Sequence, residues 1–182
     1  MKKLRSKIKL MRQLSRFKQC KNLNWSGEGI TKCDFEMSPD SNVSISENVI
    51  FRPGCSIRVR SGASLKIGDA VSFNNGCIIT CREKITIGSH VLFGPNVMIF
   101  DHDHDFRSDD FEHKFKTAPI VIGNNVWIGG NVSILRGAVI KDGAVIGANS
   151  VVKGIVEENC VYTGSSEIIM RKYEKKEIYN EG

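Results

Sequence analysis

The chain has 182 residues, enough for one domain with a core or for a short solenoid with appendages. Its net charge of +6 sits at the start: residues 1–21 carry nine Lys or Arg and no acid, while the remainder holds 17 basic against 20 acidic residues. A slightly acidic body is not a nucleic-acid-binding surface, and no run of eighteen apolar residues offers a membrane span.

Residues 2–19 read as a helix. Leu4, Ile8 and Met11 fall on one face with Leu10, Leu14 and Phe17 beside them, and Lys and Arg cover the rest. Such a basic amphipathic helix either packs on the end of the body or lies on an anionic membrane surface as a peripheral contact. Residues 20–42 are poorly periodic and read as a lead-in. No secretory apolar region precedes them, and the six Cys form no C-x-x-C pair, so reduced thiols in a cytoplasmic protein are expected, with Cys55 and Cys77 as small apolar fillers.

From Ile45 an aliphatic or Phe residue recurs every six positions, at Ile45, Phe51 and Ile57. Residues 58–66 break the count, which implies a widened corner. The sixes resume at Ile67, Phe73 and Ile79, slip by two, and continue at Ile87, Phe93 and Ile99. Residues 100–117 are charged and aperiodic and contain three of the four His, which reads as a long loop thrown out from a rigid scaffold. Order returns at Ala118 and is strictest from Ile122 to Val152. There Ile122, Ile128, Ile134, Ile140, Ile146 and Val152 keep step, with small or β-branched Val126, Val132, Ala138, Ala144 and Ser150 four places on.

No helix has period six. Three sixes make one coil of a triangular prism with aliphatic residues inward and Gly or Asn at corners, where positive φ costs them little. This is the periodicity of a parallel β-helix, whose coils bury their inner rows only against one another. Residues 167–181, with Ile168, Ile169 and Met170 among charges, read as a cap. The expected organisation is a helix and lead-in over 1–42, a solenoid over 43–166 with the loop 100–117, and a cap over 167–182.

The block Pro119-Ile-Val-Ile-Gly-Asn-Asn-Val-Trp-Ile-Gly-Gly130, with Phe93-Gly-Pro-Asn-Val97 and the His-containing loop before it and Ile146-Gly-Ala-Asn-Ser150 after it, resembles the hexapeptide-repeat acyltransferases. Their galactoside, maltose and capsular-polysaccharide O-acetyltransferase branch is the nearest in pattern. The resemblance covers residues 43–171. It implies an all-β, left-handed parallel β-helix, a homotrimer, and acetyl-CoA as co-substrate in the groove between two prisms.

Acetyl transfer to a hydroxyl needs a base, a donor for the thioester oxyanion, and two substrates held together. The spacing of seven residues after Val97 matches His104 to the family's catalytic histidine, with His102 as rival on the same side of an extended segment. Asp101, Asp103 or Asp105 is placed to orient the imidazole, and Asp101 and Asp105 are candidate acceptor-side residues. By the same resemblance Gly130 offers its N–H to the thioester carbonyl, Ala148 and Lys153 line the acetyl-CoA channel, Arg171 lies near the nucleotide end, and Asn74 matches an acceptor-binding Asn. The acidic partner of that Asn corresponds to Arg82 here, so a simple galactoside mode of acceptor binding is not expected. Taken alone, Asp-His-Asp-His-Asp also suits a solvated loop or a divalent-metal site; within the family frame no metal is expected. The expected reaction is direct O-acetylation of a sugar or surface-polysaccharide precursor. N-acetylation of a nucleotide-linked amino sugar and a non-catalytic or metal-binding solenoid are the alternatives.

Overall fold

A computed structural model describes residues 22–24 and 32–164. Three parallel sheets, two of six strands and one of seven, form the faces of a prism, and each turn of chain visits the three faces in a fixed order. The first complete turn runs through Asp34–Met37, Asn42–Ile45 and Ile50–Phe51, and the next returns to the first face at Ser56–Val59. This is a parallel β-solenoid with no helix among the described residues. The expected basic helix, the cap over 167–182 and Arg171 lie outside those residues.

The inner rows are aliphatic, as the sixes require. Ile122, Ile128, Ile134, Ile140, Ile146 and Val152 are all at most 1% exposed, and Val126, Val132, Ala138, Ala144 and Ser150 are equally buried. In-register pairs stack them: Ile87 on Ile122 on Ile140 on one face, and Phe93 on Ile128 on Ile146 on the next. Phe is accommodated because it stacks on Phe. The rings of Phe51, Phe73 and Phe93 lie 4.8 and 4.4 Å apart and nearly parallel. Asn125, Asn131 and Asn149 hold corners at φ of 54°, 56° and 61°, the left-handed region in which Asn is the least strained residue after Gly.

The break at residues 58–66 has a different cause from a widened corner. In the first turns the strands on two faces are four residues long, so inward positions come in pairs: Ile57 with Val59, and Leu65 with Ile67. Equivalent positions are therefore 22 residues apart (Phe35 to Ile57 to Ile79), whereas the later turns step by 18 (Ile134 to Val152). The slip of two after Ile79 is a tightened turn: Ile78–Cys81 and Lys84–Ile87 are joined by Arg82 and Glu83 alone. The strand Asp34–Met37 already pairs with Ser56–Val59, and Asn22–Asn24 with Asn42–Ile45, so these two strands of the lead-in contribute rungs to the prism.

Residues 100–117 interrupt the sixes, as expected, but with paired strands of their own. His102–His104 pairs antiparallel with Phe115–Thr117, which makes the excursion a β-hairpin standing off the prism between Met98–Phe100 and Ile120–Ile122. Its base is closed by the Ala118 N–H donating to the Asp101 carbonyl at 3.0 Å, and its arms by the Asp105 N–H donating to the Lys114 carbonyl at 2.8 Å.

Candidate active site

The hairpin grows from a buried carboxylate. The second inward row of the first face runs from Val59 to Cys81, and Phe100 pairs with Thr80, so Asp101 falls in the slot beside Cys81. Asp101 is fully buried. Leaving an ionised carboxylate there without partners would cost several kcal/mol. The tightened turn supplies the partners: the backbone N–H groups of Arg82, Glu83 and Lys84 donate to its oxygens at 2.8, 2.8 and 2.9 Å. The His102 Nδ1 lies 3.2 Å from Oδ1, and the Cys81 thiol donates to Oδ2 at 3.5 Å. Burial pushes the Asp101 carboxyl up, but the His102 ring and the Arg82 and Glu83 N–H groups hold it, on balance, below the ordinary value. Burial, then the neighbouring Asp101 charge, raises the Cys81 thiol. The two-residue shortening at 82–83 and the burial of Asp101 are thus one feature.

Both nominated histidines stand on the first arm of the hairpin and turn toward Phe115 on the second. The His102 and His104 ring centroids are 5.6 and 4.5 Å from that ring. Their environments differ. The His102 side chain is 13% exposed and sits on Asp101, whereas His104 is exposed and its Nδ1 lies 2.8 Å from the Phe111 carbonyl oxygen. A carbonyl only accepts, so Nδ1 of His104 carries a proton, and the neutral ring keeps its lone pair on Nε2. The hairpin is braced by Arg136, whose Nε donates to Asp103 at 2.6 Å, and by Lys116, 2.7 Å from Asp105. That contact places Asp105 in an ion pair on the hairpin and holds its carboxyl below the usual range. His113 is exposed and its Nδ1 meets Asp110 at 2.6 Å. His90 occupies a corner at a φ of 58°. Among the described residues no group of three or more His, Cys, Asp or Glu side chains is gathered in a way that would hold a metal ion.

A second feature lies on the prism itself, at the corner after Phe93, Ile128 and Ile146. The equivalent corner on the neighbouring edge shows what is ordinary. There the N–H of Asp69, Ser89 and Asn124 is capped by a side-chain oxygen of the next turn, from Ser89, Asn124 and Asp142 at 3.0, 2.9 and 2.8 Å. The residues that would cap Gly130 and Ala148 are Ala148 and Gly164, and neither has a side-chain oxygen. The N–H groups of Gly130 and Ala148 consequently have no acceptor among the described residues. An amide ladder, Asn96 to Asn131 to Asn149 at 3.2 Å per step, fixes the backbone just beyond them. Gly94 is bare for a related reason, since a Cβ there would meet the Gly130 nitrogen at 2.5 Å. Two donors one rung apart, without acceptors among the described residues, are free to receive the oxygens of an extended ligand.

The remaining candidates are more scattered. Asn74 lies at the same corner two turns earlier, exposed, with its side-chain oxygen accepting the Asn75 N–H at 2.8 Å. Lys153 is exposed. Sequence reasoning passed over Phe115, on which Arg82 stacks with its guanidinium carbon 3.5 Å from the ring centroid. It also passed over Arg136. An aromatic recurring opposite two His in a charged stretch is the signal that would have marked the hairpin.

Comparison with known proteins agrees with this geometry. Residues 119–154 match the family model described as bacterial transferase hexapeptide (six repeats). The chain is 33% identical over 144 residues to a protein of Escherichia coli (strain K12) provisionally named lipopolysaccharide biosynthesis O-acetyl transferase WbbJ, covering 74% of each. It is 38% identical over 107 residues to the galactoside O-acetyltransferase of the same organism, covering 57% of this chain and 51% of that protein. Among solved structures, a hexapeptide-repeat-containing acetyltransferase of Vibrio cholerae O1 biovar eltor, complexed with acetyl coenzyme A, superposes with a TM-score of 0.59 and 25% identity over 92% of this chain and 88% of that one. With its uninterrupted inner rows, its histidine hairpin and this relationship to WbbJ, the chain belongs to the hexapeptide-repeat acetyltransferases.

Proposed function

We propose that the protein transfers acetyl from acetyl-CoA directly to a hydroxyl of a sugar or surface-polysaccharide precursor, on the cytoplasmic side of the membrane. The observation that carries this reading is the uncapped pair of N–H groups at Gly130 and Ala148 on a solenoid whose hairpin carries His102 and His104 on its first arm. The acceptor oxygen attacks the thioester carbon while Nε2 of His104 takes its proton. The Gly130 N–H receives the oxyanion. Collapse breaks the C–S bond, and the imidazolium returns its proton to the departing thiolate. His104 is preferred to His102 as the base because it is exposed, where an acceptor arrives, and its Nδ1–H is fixed on a carbonyl. His102, largely covered and seated on Asp101, positions the arm. No cysteine lies on the hairpin to serve as a covalent relay.

A left-handed winding and a homotrimer belong to the same reading. The outward residues Ile50, Leu92, Trp127 and Val161 are 45–72% exposed and share one face, an apolar stripe suited to a subunit seam. The test is thiol release from acetyl-CoA with sugar acceptors. His104→Ala should lower kcat by about 10²–10⁴-fold with the melting temperature and the acetyl-CoA-induced shift retained. Full activity in that variant would move the base to His102.

A further inference from the structure

The Arg82 guanidinium is the one feature beside the histidines that the acetyl-transfer reading leaves without a task. Its backbone N–H is tied to Asp101, so the residue is anchored to the same carboxylate that holds His102. Its side chain lies flat on Phe115. It makes no ion pair and no side-chain hydrogen bond among the described residues, and its Nε is buried with no partner. The acids around it are engaged elsewhere. Asp101 is filled by backbone N–H groups, Asp103 faces Arg136, Asp105 faces Lys116, and Glu36 is shared between Arg58 and Arg60. Arg60 lies one rung away, its N–H donating to the Cys81 carbonyl at 2.9 Å, and its own charge is met by Glu36. Glu83, next in the chain, is exposed.

A guanidinium offers five donors in a planar fork and is rarely left with none of them used. Arg82 and His104 both rest against Phe115, at 3.5 and 4.5 Å, so they are no farther apart than those distances combined, about 8 Å. A sugar residue that reaches both sets a hydroxyl at the imidazole and another substituent at the arginine. We propose that Arg82 is an anion-recognising subsite that selects acceptors carrying a carboxylate or a phosphate on or next to the acetylated sugar. This rests on the acetyl-transfer reading for the position of the hydroxyl, but not for the binding of the anion.

The experiment uses the full chain with galactose, galacturonate and galactose 1-phosphate, which differ at the anionic group. Thiol release gives kcat/KM, and calorimetry without acetyl-CoA gives Kd. Wild-type protein should prefer one anionic sugar over galactose, and whichever of the two it is identifies the anion. Arg82→Gln should reduce that preference by about 10- to 100-fold, the range for one or two charge-assisted hydrogen bonds, in kcat/KM and in Kd alike. Arg82→Lys should keep part of it. Anionic sugars binding wild-type protein no more tightly than galactose would overturn the inference, with or without turnover. A uniform loss for all three sugars in Arg82→Gln would overturn it too, and would leave Arg82 as a brace for Phe115. Tight, Arg82-dependent binding without thiol release would sustain the subsite while sinking acetyl transfer.

Discussion

Replacing Asp101 by Asn tests the centre of the site at nearly constant volume. An amide keeps one acceptor oxygen and puts NH2 where the other stood. In the better orientation the oxygen stays toward the Glu83 and Lys84 N–H groups, and the NH2 then confronts the Arg82 N–H and the His102 ring. A hydrogen bond to a charged group contributes roughly 1.5–3 kcal/mol, and an orphaned buried N–H costs roughly 1–3 kcal/mol. These overlap, and the expected loss is about 2–4 kcal/mol. At about 2–4 °C per kcal/mol for a chain of this size, that lowers the melting temperature by about 5–15 °C at pH 7. The pH dependence adds a second criterion. The folded carboxyl is held below its unfolded value of about 3.9. Its stabilisation is complete above that pH and is lost as pH falls through the lower folded value. Thermal unfolding of both proteins from pH 7 to pH 2 should therefore show a gap that closes below about pH 4. A shift under about 1 °C at pH 7, or a gap constant to pH 2, would refute the account of Asp101 as an ionised core anchor.

Gly94→Ala should weaken acetyl-CoA binding without touching the hairpin, because the new Cβ meets the Gly130 nitrogen at 2.5 Å and the Gly129 carbonyl carbon at 2.7 Å. An overpacking cost of about 1–3 kcal/mol and loss of the acetyl-CoA-induced thermal shift are expected; an unchanged shift would separate Gly130 from the ligand. Phe73→Ala removes the middle ring of a three-ring stack and should cost about 3–5 kcal/mol in chemical denaturation. A loss below about 1.5 kcal/mol, the level of a tolerated hydrophobic swap, would mean that the stack relaxes around the gap.

The later turns were legible because each has eighteen residues and a single inward position per six. From Ile122 to Val152 every residue named as inward is buried. The earlier turns were read less well, since their four-residue strands put two residues inside per pass. Arg58 between Ile57 and Val59, and Lys66 between Leu65 and Ile67, carry a period of two that a search for sixes reads as a break. In the hairpin, alternating charges hid the strand. Asp101 was one of three acids offered as partners of the imidazole, and nothing local distinguishes it from Asp103. Its burial follows from a neighbour in space, Cys81, twenty positions away. The Arg82–Phe115 contact joins residues 33 apart through no repeat, and no periodicity announces it. Gly130 and Ala148 were nominated by likeness; that their two corner amides lack caps appears only when the turns are stacked.

The hairpin leaves the prism after Phe100 and returns in register at Ile120, with Ile99 still on Ile134 and Ile87 still on Ile122. The rungs on either side do not record what the excursion contains. For a loop of this size, doubling its length adds only about 0.6 kcal/mol of closure entropy. Selection can therefore rewrite the excursion, residue by residue or wholesale, without disturbing the rungs on either side. On the proposed assignment, lineages of this architecture are free to diversify in which molecule they modify far faster than in how they hold the group they transfer.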